Sequence, residues 1–208
     1  MKLRVDPRTR GVTLTVPRRV SQRRALAWAE GQRAWVEHAL AGIPDALPFA
    51  PGSSVPLEGA PHRLDWEAAR PRRIERGEGR LVAGGPLEGL DRRLLRWLKA
   101  HALDVLQRET REYCAKAGVM ASRIAIGDPV SRWGSCASNG AIRYSWRLIL
   151  APEYVRRATV AHEVAHLVHL NHGPAFHALV RTLLGADPAP ARAWLKREGA
   201  ALHRIGPR

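Results

Sequence analysis

The sequence predicts an α+β fold in which a small mixed or antiparallel sheet packs on helices, with a β-hairpin and a helix ahead of it at the amino terminus. Two observations carry that expectation. Short stretches of apolar–polar alternation sit near the amino terminus and again before residue 150, whereas 3.6-residue periodicity occupies 89–117 and most of the chain beyond 152. With 208 residues, 45% of them hydrophobic, the chain can enclose a core and is not a disordered segment. The expected organisation is a hairpin, helix and short-strand region over 1–87 and the main domain over 88–208, together one compact unit.

Residues 3–16 alternate apolar and polar positions on both sides of Asp6-Pro7-Arg8-Thr9-Arg10-Gly11, the pattern of a hairpin. Ser21 is a helix-capping residue, and Ala25, Trp28, Gln32, Trp35, Val36 and Leu40 then share one face of a helix ended by Gly42 and Pro44. The 41–87 stretch is rich in Gly and Pro and carries short strand signals at 55–57, 62–66 and 80–82. Leu94, Leu98, Leu103, Val105 and Leu106 predict a long helix from about 89 to 117, stopped by Gly118. Strands are expected over 123–126 and 141–150, with Ser138-Asn139-Gly140 making a tight turn into the second. Pro152 and Glu153 suit the first turn of a helix running to about 170. Helices over 174–184, ended by Gly185, and 190–203 complete the chain.

Composition narrows the function classes. Charges interrupt every apolar run before the roughly eighteen residues that cross a bilayer, and residues 1–6 lead into no signal-peptide core, so a cytoplasmic protein without a membrane partner is expected. Two cysteines, Cys114 and Cys136, make neither a disulfide framework nor a paired-knuckle zinc ribbon. The formal charge of +15 would favour a polyanion, but the excess is spread along the chain rather than gathered in one arm.

His162-Glu163-Val164-Ala165-His166 carries the chemistry. Histidines at i and i+4 stand one turn apart on the same helix face and can hold one metal ion, and three histidines with an open fourth position make a catalytic zinc site. Glu163, on the flank of the metal, is placed to take a proton from zinc-bound water and pass it to a leaving amine. For the third ligand, His169, His172, His177 and Asp187 are in reach. On a straight helix His169 lies about 10 Å along the axis from His162, too far to share the ion. His172 follows Asn171, which tolerates the turn that ends a helix, so the chain can fold back and present it; Asp187 is the reserve. Trp133 and Trp146 are expected to bury, Cys136 to be a small buried residue, and Tyr144 to be an ordinary strand tyrosine rather than an oxyanion donor. Arg132 is expected to anchor a loop, the alternative being a contact to substrate. Either 131–136 or 141–150 can offer a sheet edge to an extended peptide.

The run Ser131-Arg132-Trp133-Gly134-Ser135-Cys136, the turn Asn139-Gly140, Trp146-Arg147-Leu148-Ile149-Leu150-Ala151-Pro152, His162-Glu163-Val164-Ala165-His166-Leu167 and Asn171-His172 with Phe176 resembles the YgjP-like metallopeptidase family, relatives of the SprT and WLM zincins. The resemblance is specific over about 120–180 and looser at the amino terminus. It implies a zincin-like, gluzincin-type α+β fold, one Zn2+ on His162, His166 and His172, and Glu163 as catalytic base. Val164 stands where leucine is usual and His177 where tryptophan is common, which alters the wall of the cleft. The expected activity is a zinc-dependent metallohydrolase, a peptidase cleaving extended or unfolded polypeptide. The alternative is a DNA- or polyanion-associated protein, including a protease acting on DNA-bound proteins.

Overall fold

A computed structural model describes residues 1–6, 10–42 and 46–206. The chain divides into two compact units, Met1–Leu47 and the residues from Pro48 onward. In the first unit, β1 (Lys2–Val5) and β2 (Val12–Thr15) pair antiparallel with Lys2 opposite Thr15 and Val5 opposite Val12. The centre of the expected turn, residues 7–9, lies outside the described residues, as does Pro44.

The single helix expected beyond Ser21 is two: α1 (Gln22–Glu30) and α2 (Arg33–Ala41). Ser21 caps α1 by accepting from the Arg24 amide. The break falls at Gly31-Gln32, where the Gln32 amide reaches back only three residues to the Ala29 carbonyl. A glycine inside a helix costs about 1 kcal/mol relative to alanine, so this is where continuous periodicity gives way.

The second unit opens with a four-stranded sheet of β3 (Ser54–Leu57), β4 (Ala60–Trp66), β5 (Ile74–Gly77) and β6 (Arg80–Ala83), in the order β3-β4-β6-β5. The β4–β6 pair is parallel and the other two are antiparallel. β5 escapes sequence reading because Ile74-Glu75-Arg76-Gly77 is an edge strand with one apolar side chain. The β3–β4 turn places Glu58 at φ 53° and Gly59 at φ 83°, both left-handed as a two-residue hairpin turn of this twist requires. Its amides donate to the carbonyls of Ile149 (from Glu58, 2.7 Å) and Leu150 (from Gly59, 3.3 Å). A side chain at Gly59 would put its Cβ 2.8 Å from the Pro152 Cα, so the hairpin tip sits directly on the segment that leads into the helix beginning at Glu153.

Helix α3 (Leu90–Ala117) runs between two left-handed glycines, Gly89 and Gly118, and buries Leu90, Leu94, Leu98, Ala102, Val105, Leu106 and Tyr113. A three-stranded sheet follows: β7 (Arg123–Gly127), β8 (Gly134–Cys136) and β9 (Ala141–Ser145), ordered β7-β9-β8. β7 and β9 run parallel, and β8 and β9 form the hairpin that Asn139-Gly140 predicts. The strand expected over 141–150 stops at Ser145. There the Ser145 hydroxyl accepts from the Arg147 amide and opens a 3-10 turn, Trp146–Leu150, with all five residues buried.

α4 (Glu153–Ala165), α5 (Pro174–Leu184) and α6 (Ala189–Leu202) complete the unit. Pro152 precedes α4 as its cap residue, and Glu153 supplies the first-turn acid. α4 turns Val155, Val160, Ala161, Val164 and Ala165 into the core. Arginine bonds tie it to α3: Arg156 forks onto the buried Glu109 at 2.9–3.2 Å, and Arg157 reaches Glu112 at 2.7 Å and the Tyr113 hydroxyl at 3.1 Å. Arg147 joins Asp128 to the carbonyls of Leu202 and Ile205, holding the end of α6 against the 3-10 turn. The described residues therefore form a mixed α+β protein with small sheets, six helices and the amino-terminal hairpin and helix that the sequence predicts. Among the described residues no helix is long and apolar enough to cross a membrane.

Candidate metal centre

His162 lies in the last turn of α4 and His166 caps it. The helix expected to reach about 170 ends here: the Val168 amide donates to the Ala165 carbonyl and the His169 amide to the same oxygen, curling the chain off the axis. His169 thus leaves the helix. Its contribution is a backbone carbonyl, 3.0 Å from His166 Nδ1. A carbonyl only accepts, so Nδ1 carries the proton and Nε2 is left with its lone pair, the tautomer a metal ligand needs.

The chain then returns through Asn171 and brings the His172 ring to the same place. His172 Nε2 stands 3.2 Å from His162 Nε2, and the three histidines each offer a nitrogen within 4.8 Å of the other two. Two nitrogens each about 2.0–2.1 Å from one tetrahedral ion are roughly 3.3 Å apart, so the His162–His172 spacing fits a shared zinc. Phe176 on α5 floors the cluster, its ring 4.9, 4.5 and 4.7 Å from those of His162, His166 and His172. Burial pushes His162 down to about 4, with the neighbouring histidine charges adding to it, and burial also lowers His166 against the pull of the His169 carbonyl. Neutral imidazoles are the donor set that zinc prefers, so these residues fit the ion.

The other candidates lie elsewhere. The Asp187 carboxylate accepts from the Ala189 amide at 2.9 Å at the start of α6. His177 stacks on His172 at 6.3 Å, outside the cluster.

Glu163 follows His162 on α4 and is buried, and that burial pushes its carboxyl up to about 7 against the opposing charge of Arg132. Gly134 of β8 lies against it. A Cβ at Gly134 would stand 2.6 Å from Glu163 Cγ and closer still to one carboxylate oxygen. The backbone of β8 thus approaches the Glu163 side chain as only glycine permits. The sequence signal was a glycine inside a strand, which marks close backbone approach without saying what approaches.

Four local expectations meet the structure as follows. Tyr144 is fully buried, its hydroxyl 3.0 Å from Thr110 Oγ1, as an ordinary strand tyrosine. Trp146 is fully buried, but Trp133 is only half-buried and stacks on His203 at 5.1 Å, because β8 is an edge strand. Cys136 on the same edge is also half-buried rather than enclosed, and its partial burial pushes the thiol up. β9 is central, so the 141–150 segment offers no sheet edge, while β8 does.

An α+β scaffold that sets two histidines one turn apart on a helix, a buried glutamate between them and a third histidine from the following loop belongs to the H-E-x-x-H class of metalloproteins. More particularly, the YgjP-like metallopeptidase domain matches residues 1–198, and the chain belongs to that family. Comparison with curated proteins and with solved structures gives no match.

Proposed function

We propose that this protein is a zinc peptidase acting on extended or unfolded polypeptide, with His162, His166 and His172 as metal ligands and Glu163 as general base. The observation that carries the reading is the convergence of three imidazole nitrogens, with the buried Glu163 adjoining His162 on the same helix. Zinc held there would polarise the carbonyl under attack and lower the pKa of water at the site toward 7. Glu163 takes the proton of the attacking water and returns it to the leaving amine. Burial favours the protonated carboxyl, which holds the proton until the leaving amine takes it, while the charge of a bound zinc would favour the ionised form that takes it from water. The His169 carbonyl holds the His166 ring in its ligating tautomer. β8, with one edge unpaired in its sheet, offers main-chain hydrogen bonds that keep a substrate strand extended alongside Glu163.

The test is Glu163→Gln. The variant is expected to keep one zinc per chain by elemental analysis while losing turnover of an unfolded protein such as reduced casein. Hydrolysis at the parent rate would show that Glu163 is not the base.

A further inference from the structure

A cavity of about 220 Å³ opens beside the candidate metal centre, and the proposed mechanism makes no use of it. His162 and Glu163 are among the residues that line it. Its walls are Ala158 and Thr159 of α4, Val180 of α5, Ala191 and Leu195 of α6, and Trp133 next to β8. The Thr159 hydroxyl donates to the Val155 carbonyl at 3.0 Å, so it has no proton left to donate into the cavity. Apart from the two active-site side chains, the charged group in the lining is Arg192, which is exposed and whose positive charge acts on His162. No ion pair engages Arg192 among the described residues. Whole small-molecule ligands occupy pockets of roughly 300–1,000 Å³, so this space is sized for a single side chain.

Which side chain follows from the path of the proton. Glu163 delivers it to the leaving amine, so the residue that carries that amine must lie within hydrogen-bond reach of the Glu163 carboxylate. The cavity that Glu163 lines is therefore on that residue's side of the scissile bond. We infer that it receives the side chain of the residue immediately after the scissile bond, and that it selects apolar side chains and rejects basic ones. The inference rests on the peptidase reading and deepens it: α6, which carries no recognisable motif, sets the specificity. The apolar walls favour Leu, Met or Phe, and the Arg192 guanidinium repels Lys and Arg.

Two experiments on the zinc-loaded full chain test it. In the first, a proteome-derived peptide mixture is digested and the new amino termini are sequenced by mass spectrometry. Leu, Met and Phe are expected at that position over Lys and Arg by about tenfold or more. Leu195→Phe, which fills the cavity, is expected to shift the preference to Gly, Ala and Ser, and Arg192→Glu to admit Lys and Arg. Arg192 is exposed, so its replacement leaves the fold intact even if Leu195→Phe does not. Cleavage with no preference at that position, or with one that neither variant changes, overturns the inference. In the second, the free amides of leucine and lysine are titrated into 15N-labelled protein, reading the Trp133 indole N–H. Leucinamide is expected to shift that signal and lysinamide to leave it in place. No shift with either, or equal shifts with both, also overturns the inference. Selective leucinamide binding without any peptide cleavage would instead overturn the peptidase reading and leave the cavity's preference standing.

Discussion

At Gly134 the absence of a single methyl group decides where the Glu163 carboxylate can sit. Gly134→Ala is expected to displace that carboxylate, because the new Cβ would fall 2.6 Å from Glu163 Cγ. A misplacement of about 1 Å costs roughly 100-fold in rate, so kcat should fall by about that factor while zinc content stays at one per chain. Zinc lost together with activity would show that α4 and its histidines, and not the carboxylate alone, had moved. His172→Ala is expected to weaken zinc binding sharply, read by elemental analysis after dialysis, and retention of full zinc would transfer the third-ligand role elsewhere. The sequence made His162, Glu163 and His166 legible because their geometry is local, fixed by one turn of helix. His172 was legible at one remove, through Asn171 and a chain able to fold back. What Gly134 touches was not legible, because the strand and the helix meet only in three dimensions.

α4 carries the site, and what holds α4 is its seam with α3. Glu109 and Arg156 are 3% and 4% exposed at their side chains and bonded at 2.9 Å. Removing one partner from such a pair strands a buried charge, so Glu109→Ala is expected to destabilise the protein by about 3–5 kcal/mol in urea unfolding. Replacing both, Glu109→Leu with Arg156→Met, should recover most of that loss. Nearer the surface, Arg157 and then Lys116 hold the Glu112 carboxyl down to about 2. A carboxyl lower in the folded than in the unfolded chain stabilises the fold above its ordinary value of 4.5, and that contribution fades as pH falls toward 2. Glu112 is 40% exposed, so solvent screening limits the effect to about 0.5 kcal/mol. Glu112→Gln should therefore be slightly less stable than the parent at pH 7, with the gap narrowing at pH 3. An equal gap at both values would show that the ion pairs are not its source. At this scale the existence of the helices was legible from periodicity, but the break between α1 and α2 and the early end of α4 were not. Nor was the end of β9, because all five residues of Trp146–Leu150 are buried, Arg147 included, so the burial leaves no strand or helix period to read.

For the whole molecule, zinc bound only by the folded chain adds to its stability by mass action, about 2.7 kcal/mol when free zinc is 100 times its dissociation constant. In a chain of this size each kcal/mol is worth roughly 2–4 °C. Chelation is thus expected to lower the melting temperature by about 5–10 °C, and His172→Ala to show little dependence on added zinc. A chelator without effect on the parent would mean that no metal is coupled to the fold. The α+β class was legible because short alternating stretches and long helical ones occupy different parts of the chain. The order β3-β4-β6-β5 was not, because one parallel pair among antiparallel ones leaves no mark in residue pattern.

The seat of the β3–β4 turn on the carbonyls of Ile149 and Leu150 also bears on the order of events in folding. Those bonds join positions roughly ninety residues apart, and closing so long a loop costs entropy before any contact repays it. During synthesis the hairpin emerges well ahead of its receptor and has to wait for it. The start of α4 is therefore expected to gain amide protection late in refolding, after α3 and the local hairpins, and a Gly59→Ala chain to reach the native state more slowly than its loss of stability alone would predict.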